Sequence, residues 1–548
     1  MTSLIGSILQ FEWWATPDSV WLWHRLAFIG LWTGMLFAVQ RETLISPQDS
    51  TPRFARWAPR IRLLIDLCFT TAISMVLPRA GLVIVSVIVF FAHSGLIAYF
   101  QYFHRPLSAL SLYHSWREGA KASRHAISAR AKRLILIFGT LMVARITLVL
   151  TSPDPSVGRE TLWMIGGIAA AGYIGLMLLA SWIDPLNRIL TTRGIGRLGM
   201  IRGYFVTWLA EFYYLGQRQV LESAIRQRQI TSDALTPIET LIPIRRQLVI
   251  VQAESLDFNV LGHEANGQEV TPFLNRLRER SLFYRIAAAR YIGSADADFV
   301  MLNGVMPSTH IVAYNIPNYP YQNTLPQFLA QFGYRTEVFH GNTGNFYNRR
   351  AAFEKMQFAK IHFEEEMVER EGLPQIAWGV EDRHVLELSA RRLQETSGQV
   401  CHFVITLTTH TPYTLLDCNQ REIYPQPQSL AQNYLNNMRY LDNQLRAYIA
   451  PLSSATVVIY SDHPADPAVA PGFIPDCQAR RECVPCLIFD TETDLGALQR
   501  SRELAIANDG SLTMLDISSF LRAQVAAVNG QPHLTLEGSG GWQLTGEK

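Results

Sequence analysis

Ala455-Thr-Val-Val-Ile-Tyr-Ser-Asp-His463 is the stretch from which the rest of the chain can be read. Its first six residues are apolar, β-branched or aromatic without interruption, the pattern of a strand covered on both faces. Asp462 and His463 follow at the carboxyl end, where open α/β sheets bind their ligands. A carboxylate beside an imidazole offers a hard oxygen and a borderline nitrogen to a divalent cation.

Three other candidate strands end in similar chemistry. Leu248-Val-Ile-Val-Gln-Ala253 runs into Glu254, a strand over 335–339 into His340-Gly341-Asn342, and Phe403-Val-Ile-Thr-Leu407 into Thr408-Thr-His-Thr-Pro412. Helical patterns near 272–280, 383–396 and 430–449 alternate with them. That alternation predicts an α/β domain with a mostly parallel sheet and helices on both faces, over residues 245–548. Glu254, His340, His410, Asp462 and His463 then converge on one sheet edge. Ile292-Gly-Ser-Ala-Asp296 adds a small hydroxyl residue at a predicted helix start, where backbone N–H groups favour an anion. Ser294 is a candidate nucleophile, because serine needs a base or a metal and the edge can supply one. The plainer reading is that Ser294 only caps the helix.

The amino-terminal third differs. Five apolar segments, at 18–39, 62–78, 80–103, 134–152 and 162–183, predict an all-α membrane domain over 1–183. Asp66 and Arg145 interrupt two of them: either Arg145 snorkels to an interface or both charges sit near helix ends, or they form a buried pair or a lipid-headgroup contact. No cleavable signal peptide is expected. Residues 184–244 read as an amphipathic connector, with Trp208, Tyr213 and Tyr214 suited to a membrane surface. Arg41, Arg53, Arg56, Arg60 and Arg62 lie on the same side as the basic run from Arg105 to Arg133, which by charge alone is cytoplasmic. Cys418, Cys477, Cys483 and Cys486 lie in polar, loop-like sequence. They predict two disulfides in an oxidising compartment, which argues for an exported domain. Cys401, opening an apolar strand, reads as a buried thiol. The net charge of +2 gives no electrostatic case for a nucleic-acid partner.

From about 245 to 525 the chain resembles the alkaline phosphatase superfamily, and within it the lipoteichoic acid synthase group of membrane phosphoglycerol transferases. The resemblance rests on Ala253-Glu254-Ser255, Gly293-Ser-Ala-Asp-Ala-Asp-Phe299, His340-Gly-Asn-Thr-Gly-Asn-Phe-Tyr-Asn-Arg349, Thr409-His-Thr-Pro412 and Ser461-Asp-His463, in the family's order. It implies an alkaline phosphatase-like fold and one divalent metal ion (Mn, Mg or Zn) on Glu254, Ser294, Asp462 and His463. It also implies Ser294 as nucleophile, with His340, Tyr347, Arg349 and His410 holding the substrate. Serine stands where the family has threonine, and Tyr347 where it has tryptophan. The implied reaction is transfer of a phospholipid headgroup, phosphoglycerol first and phosphoethanolamine second, to a glycan or polymer acceptor, with His340 or His410 shuttling protons. A phosphodiesterase or sulfatase is the rival within the fold, although Ser294-Ala-Asp-Ala-Asp298 lacks the proline and arginine of a sulfatase motif. A membrane sensor on a decayed enzyme fold is the non-enzymatic rival. The implied setting is the bacterial inner membrane, with the catalytic domain on the periplasmic or extracellular side.

Overall fold

The computed structural model describes residues 17–44, 52–103, 107, 109, 129–154, 158–183, 195–215, 242–290, 293–307, 312–316, 319–376, 378–411, 413–466, 469, 483–501, 512–530, 534–537 and 541–544. The chain divides into two compact units, residues 1–112 with 119–220, and 113–118 with 221–548.

The first unit is helical: α1 (Pro17–Leu44), α2 (Pro52–Val76), α3 (Arg79–Phe103), α4 (Ala129–Thr151), α5 (Arg159–Ile183) and α6 (Ile195–Leu215). Ser19–Arg41, Arg79–Phe100, Ala131–Thr151 and Arg159–Trp182 are long and apolar enough to cross a membrane. The second expected span does not join these four. It lies in α2, whose sequence carries Arg53, Arg56, Arg60, Arg62 and Asp66, too many charges for a clear span.

Asp66 and Arg145 neither snorkel nor pair with each other. Both are buried. Nε of Arg62 donates to Oδ1 of Asp66 at 2.9 Å, one turn away on the same helix. The Arg62 guanidinium fills the space over Gly203, where any Cβ would collide with it. Gly203 has φ +76°, a conformation glycine adopts at least cost, and it kinks α6. Arg145 donates through Nη2 to the Ser86 carbonyl at 3.3 Å. It stands over the rings of Phe28 and Trp32, at 5.9 and 5.6 Å from their centroids.

The expected connector helix corresponds to α6, which packs into the helical unit. Trp208 points inward rather than to an interface: its Nε1 donates to the Leu107 carbonyl at 2.9 Å. Phe205, Leu209, Phe212 and Tyr213 are exposed. The side chain of Tyr214 and the rest of the expected connector before Ile242 lie outside the described residues.

In the second unit seven strands form one sheet: β1 (Gln247–Ala253), β2 (Leu282–Ala287), β3 (Arg335–His340), β4 (Lys360–His362), β5 (Val400–Ile405), β6 (Ala455–Ser461) and β7 (Cys483–Asp490). Their order is β2-β7-β6-β1-β5-β3-β4. Only β7 runs antiparallel to its neighbours. Every residue of β1, β5 and β6 is buried, as their uninterrupted apolar runs require. Val249, Val251 and Ala253 join a core with Val385 and Leu386 of α9 (Asp382–Glu395) and Leu441 and Leu445 of α10 (Leu430–Ile449). Leu248 and Ile250, on the opposite face of β1, are also fully buried. Removing each such side chain from water is worth about 1.5–3 kcal/mol. The register aligns the strand ends, with Ala253 beside Ser461 and His340 beside Ile405. The polar residues that follow therefore meet along one edge.

The cysteine reading is corrected. Cys483 and Cys486 are buried in β7, not in a loop, and neither they nor the exposed Cys418 form a disulfide. Val484-Pro-Cys-Leu-Ile-Phe489 is apolar, and a buried thiol packs there as a small hydrophobe. Cys401 is a buried free thiol, as expected. Cys477 lies outside the described residues. Among the described cysteines no disulfide remains to argue for an oxidising compartment.

Candidate metal centre and catalytic pocket

β1 and β6 lie side by side and deliver Glu254 and the Asp462-His463 pair to one point. Donor atoms of Glu254, Asp462 and His463 lie within 4.8 Å of one another, and all three residues are buried. Nε2 of His463 is 3.3 Å from both Oε1 of Glu254 and Oδ2 of Asp462. Nδ1 of His463 donates to the Pro464 carbonyl at 2.8 Å, which aims Nε2 at the carboxylates.

The loop after β1 holds this set in place. Ser255 has φ +58°, a strained value for a non-glycine residue. That turn lets its N–H donate to Oδ1 of Asp462 and its hydroxyl to Oε1 of Glu254, each at 2.9 Å. Tyr434 on α10 fixes the turn by donating to the Ser255 carbonyl at 2.9 Å. From the β5 side, Oγ1 of Thr406 accepts from the Glu254 N–H at 2.8 Å, and Thr409 donates to the Glu254 carbonyl at 2.7 Å.

The donor set fits a divalent cation. Two carboxylates packed together away from water raise the cost of full ionisation. Burial, then the charge of Glu254, raises the Asp462 carboxyl. Burial alone would raise Glu254 as well, but His410 and His463 outweigh it and hold that carboxyl well below its usual range. Oδ2 of Asp462 accepts no well-formed hydrogen bond, although His463 stands beside it. A cation between these oxygens and Nε2 would remove the repulsion and occupy the orphaned oxygen.

Ser294 immediately precedes α7 (Ala295–Asn303) and is largely buried. Its hydroxyl makes no capping hydrogen bond, contrary to the plain N-cap reading. Gln252, two residues before Glu254, donates to the Ser294 carbonyl at 3.4 Å. The Tyr347 phenol lies against Gly293, where a Cβ would come within 2.7 Å of Cζ. Tyr347 and Asn348 both have positive φ, 57° and 61°, and this double turn carries the phenol to Gly293. Burial pushes the phenol up to about 12.

Arg349 opens α8 (Arg349–Lys355) and is fully enclosed. Its Nε donates to Oδ2 of Asp298 at 2.7 Å, and Tyr314 donates to Oδ1 of the same carboxylate at 2.7 Å. Nη1 of Arg349 is 3.3 Å from Nε2 of His340, and Nδ1 of His340 is 3.1 Å from the Ile405 carbonyl. A guanidinium only donates, so Nε2 accepts and Nδ1 carries the proton. His340 is therefore a neutral ring with both nitrogens engaged, pushed down to about 3 by burial and then by Arg349. It cannot shuttle protons as expected from the resemblance without breaking these bonds. His410 differs: Nδ1 donates to the Thr411 carbonyl at 2.8 Å, which makes Nε2 the basic nitrogen.

The structure thus places Glu254, Asp462 and His463 in one cluster, His340 against Arg349, and Tyr347 beside the residue preceding Ser294. Several supporting residues were not given roles from sequence. Ser255 and Asp298 lie inside the quoted motifs, but Asp462 and Tyr434, which bond to Ser255, and Arg349 and Tyr314, which bond to Asp298, come from other segments. Asp382 accepts from the N–H groups of Leu407 and Thr408, at 2.7 and 2.9 Å, and anchors the loop to His410. Trp378 packs on His410, with ring centroids 5.3 Å apart. Trp378 sits in a hairpin, Gln375–Ile376 with Gly379–Val380, that docks where Gly341 and Gly379 let two backbones meet. Arg290 adds positive charge felt by Tyr347, His410 and Asp462. A lone basic residue four positions before a candidate nucleophile carries no sequence signal of its own.

Residues 246–493 match the Sulfatase family. A lipoteichoic acid synthase-like protein of Bacillus subtilis is 26% identical over 229 residues, 40% of this chain and 37% of that protein. The lipoteichoic acid synthase of Staphylococcus saprophyticus is 26% identical over 238 residues, 40% of this chain and 36% of that protein. The matched region thus spans just over a third of these relatives. The integral membrane lipooligosaccharide phosphoethanolamine transferase A of Neisseria meningitidis has a similar fold. Its TM-score is 0.57 at 13% identity, over 94% of this chain and 95% of that one. The chain therefore joins several long apolar helices to a sulfatase-like α/β domain that is homologous to part of the lipoteichoic acid synthases.

Proposed function

We propose that this protein transfers the headgroup of a membrane phospholipid, phosphoglycerol by preference, to a glycan or polymer acceptor of the cell envelope through a covalent intermediate on Ser294. The observation that carries this reading is the buried Glu254–Asp462–His463 cluster, with a largely buried serine hydroxyl that makes no capping bond in the same domain. A divalent cation bound there supplies Lewis-acid chemistry, making the Ser294 hydroxyl easier to ionise and drawing charge from a phosphoryl oxygen. Glu254, Asp462 and His463 would hold the cation, with Ser294 as a further ligand. In the first step the Ser294 Oγ–P bond forms and the bond from phosphorus to the diacylglycerol oxygen breaks. Nε2 of His410 takes the serine proton and returns it to the leaving alkoxide. In the second step an acceptor oxygen bonds to phosphorus as the Ser294 Oγ–P bond breaks, Nε2 of His410 passes the acceptor's proton to the serine oxygen, and the headgroup leaves as a new phosphodiester. Arg349, fixed by Asp298 and His340, neutralises charge on the phosphoryl oxygens, and Tyr347 bounds the headgroup. The setting is a bacterial inner membrane with the α/β domain on the periplasmic or extracellular side.

Intact-mass analysis of the full chain, incubated in detergent with manganese and phosphatidylglycerol, tests this reading. The expected result is a phosphoglycerol adduct that Ser294→Ala abolishes. Phosphatidylethanolamine in a parallel sample tests the second headgroup. A metal-loaded protein that forms no adduct with either lipid, or an adduct that persists in Ser294→Ala, overturns it.

A further inference from the structure

The helical unit carries a second feature that the proposed reaction does not use. Phe37, Ala38 and Arg41 of α1, Ile97 of α3, and Leu134 and Phe138 of α4 line a groove of about 380 Å³. Five of the six are apolar. Ile97 and Phe138 are buried at its floor, and Ala38 is exposed at its mouth. Phe37 to Arg41 and Leu134 to Phe138 are each about one helical turn, so the groove runs about 6 Å along the helices. Its volume lies within the range of small-ligand clefts.

The one charged lining residue is at one end. Arg41 lies in the last turn of α1 and closes the span-length stretch Ser19–Arg41. A long cationic side chain at the end of a span reaches the depth at which lipid phosphates sit. The carbonyl end of a helix disfavours an anion, so a phosphate there depends on the guanidinium. A guanidinium matches phosphate with paired N–H donors. An apolar slot ending in one such cation complements the charge and polarity of a single anionic phospholipid.

We propose that the groove between α1, α3 and α4 holds one phospholipid, with part of an acyl chain between Phe37, Ile97, Leu134 and Phe138 and its phosphate on Arg41. This site uses none of the residues of the metal cluster and does not depend on the proposed transfer reaction.

Native mass spectrometry of the full chain in mild detergent tests it, with dioleoylphosphatidylglycerol and dioleoylglycerol as probes. The wild-type chain is expected to retain one phosphatidylglycerol and no diacylglycerol. Arg41→Gln removes the phosphate ligand, and Ala38→Trp fills the mouth from the apolar side. Each is expected to lower occupancy at least about tenfold, Arg41→Gln through the loss of one charge-assisted contact and Ala38→Trp by excluding the acyl chain. Equal retention of the two probes by the wild-type chain overturns the proposal, and so does unchanged occupancy in both variants. If Arg41→Gln fails to insert, Ala38→Trp and the wild-type comparison of probes still decide. No turnover is measured, so failure of the headgroup-transfer reading would leave this result intact.

Discussion

Nε2 of His340 accepts a hydrogen bond from Nη1 of Arg349 at 3.3 Å, and Nε of the same guanidinium donates to Oδ2 of Asp298 at 2.7 Å. β3, α7 and α8 thus meet on one buried cation. Of these three residues only Arg349 has a charge suited to a phosphoryl oxygen, and the other two orient it. Asp298→Asn removes the opposing charge from a buried guanidinium. Breaking such a pair costs about 3–5 kcal/mol. The expected outcome is a lower melting temperature together with reduced headgroup transfer. Unchanged stability, measured by thermal denaturation, would count against the pairing.

Ser255 touches both carboxylates of the candidate metal site but is not itself a ligand in the proposed site. Ser255→Ala removes its hydroxyl bond to Glu254 and keeps its N–H bond to Asp462. Loss of a partner that orients a ligand typically costs about 10–100-fold in metal affinity. Calorimetric titration with manganese is expected to give a drop toward the low end of that range. An unaltered dissociation constant would mean that Ser255 only shapes the turn.

Cation binding is expected to depend on pH in a defined sense. The Asp462 carboxyl is raised by burial and by Glu254. In metal-free protein the folded state therefore keeps a proton that the unfolded chain has already released. Stability falls as pH rises from the ordinary carboxylate range toward the raised value. Glu254, held low, acts in the opposite sense, and its contribution is lost as pH falls below its unfolded value. A cation displaces the Asp462 proton, so affinity should rise over the first window. Titration in two buffers of different ionisation enthalpy should detect proton release at about pH 5 that fades by about pH 8. Affinity that is flat across this range would refute the assignment.

The hairpin carrying Trp378 depends on contact between two glycines. Gly379 has φ +138°, and a Cβ there would collide with the Gly341 carbonyl. Gly379→Ala must push the hairpin off the loop after β3. Overpacking of this kind typically costs about 1–3 kcal/mol. The expected signature is a changed Trp378 fluorescence, read against a Trp378→Phe background, with weakened transfer because His410 loses its neighbour. Wild-type fluorescence and activity would show that the backbone absorbs the extra methyl group.

The α/β class was legible in sequence because strands buried on both faces read as unbroken apolar runs. Val249–Val251 and Val457–Ile459 could be placed by that signal alone. The strand 483–490 was missed because its cysteines and proline read as loop chemistry, although its remaining residues are as apolar as those of β6. In the helical unit Asp66 and Arg145 were recognised as anomalies, but their partners were not. Helix periodicity locates residues on one helix and says little about which helix lies beside it.

Sequence alone determined the chemical inventory: a glutamate, an Asp-His pair and histidines, each at the end of an apolar run, and a serine at a helix start. These follow from local pattern, since a buried strand must end where polar residues can leave the core. Tertiary structure decided which of them meet. Parallel register set Ala253 beside Ser461, and that adjacency gathered Glu254, Asp462 and His463 into a cluster. Arg349 of α8 and the Ile405 carbonyl of β5 occupied the two nitrogens of His340, so one of the two expected proton carriers became a support for Arg349. Hydrogen bonds between residues far apart in the chain leave no periodic trace in it, so those roles appear only when the strands and helices are assembled.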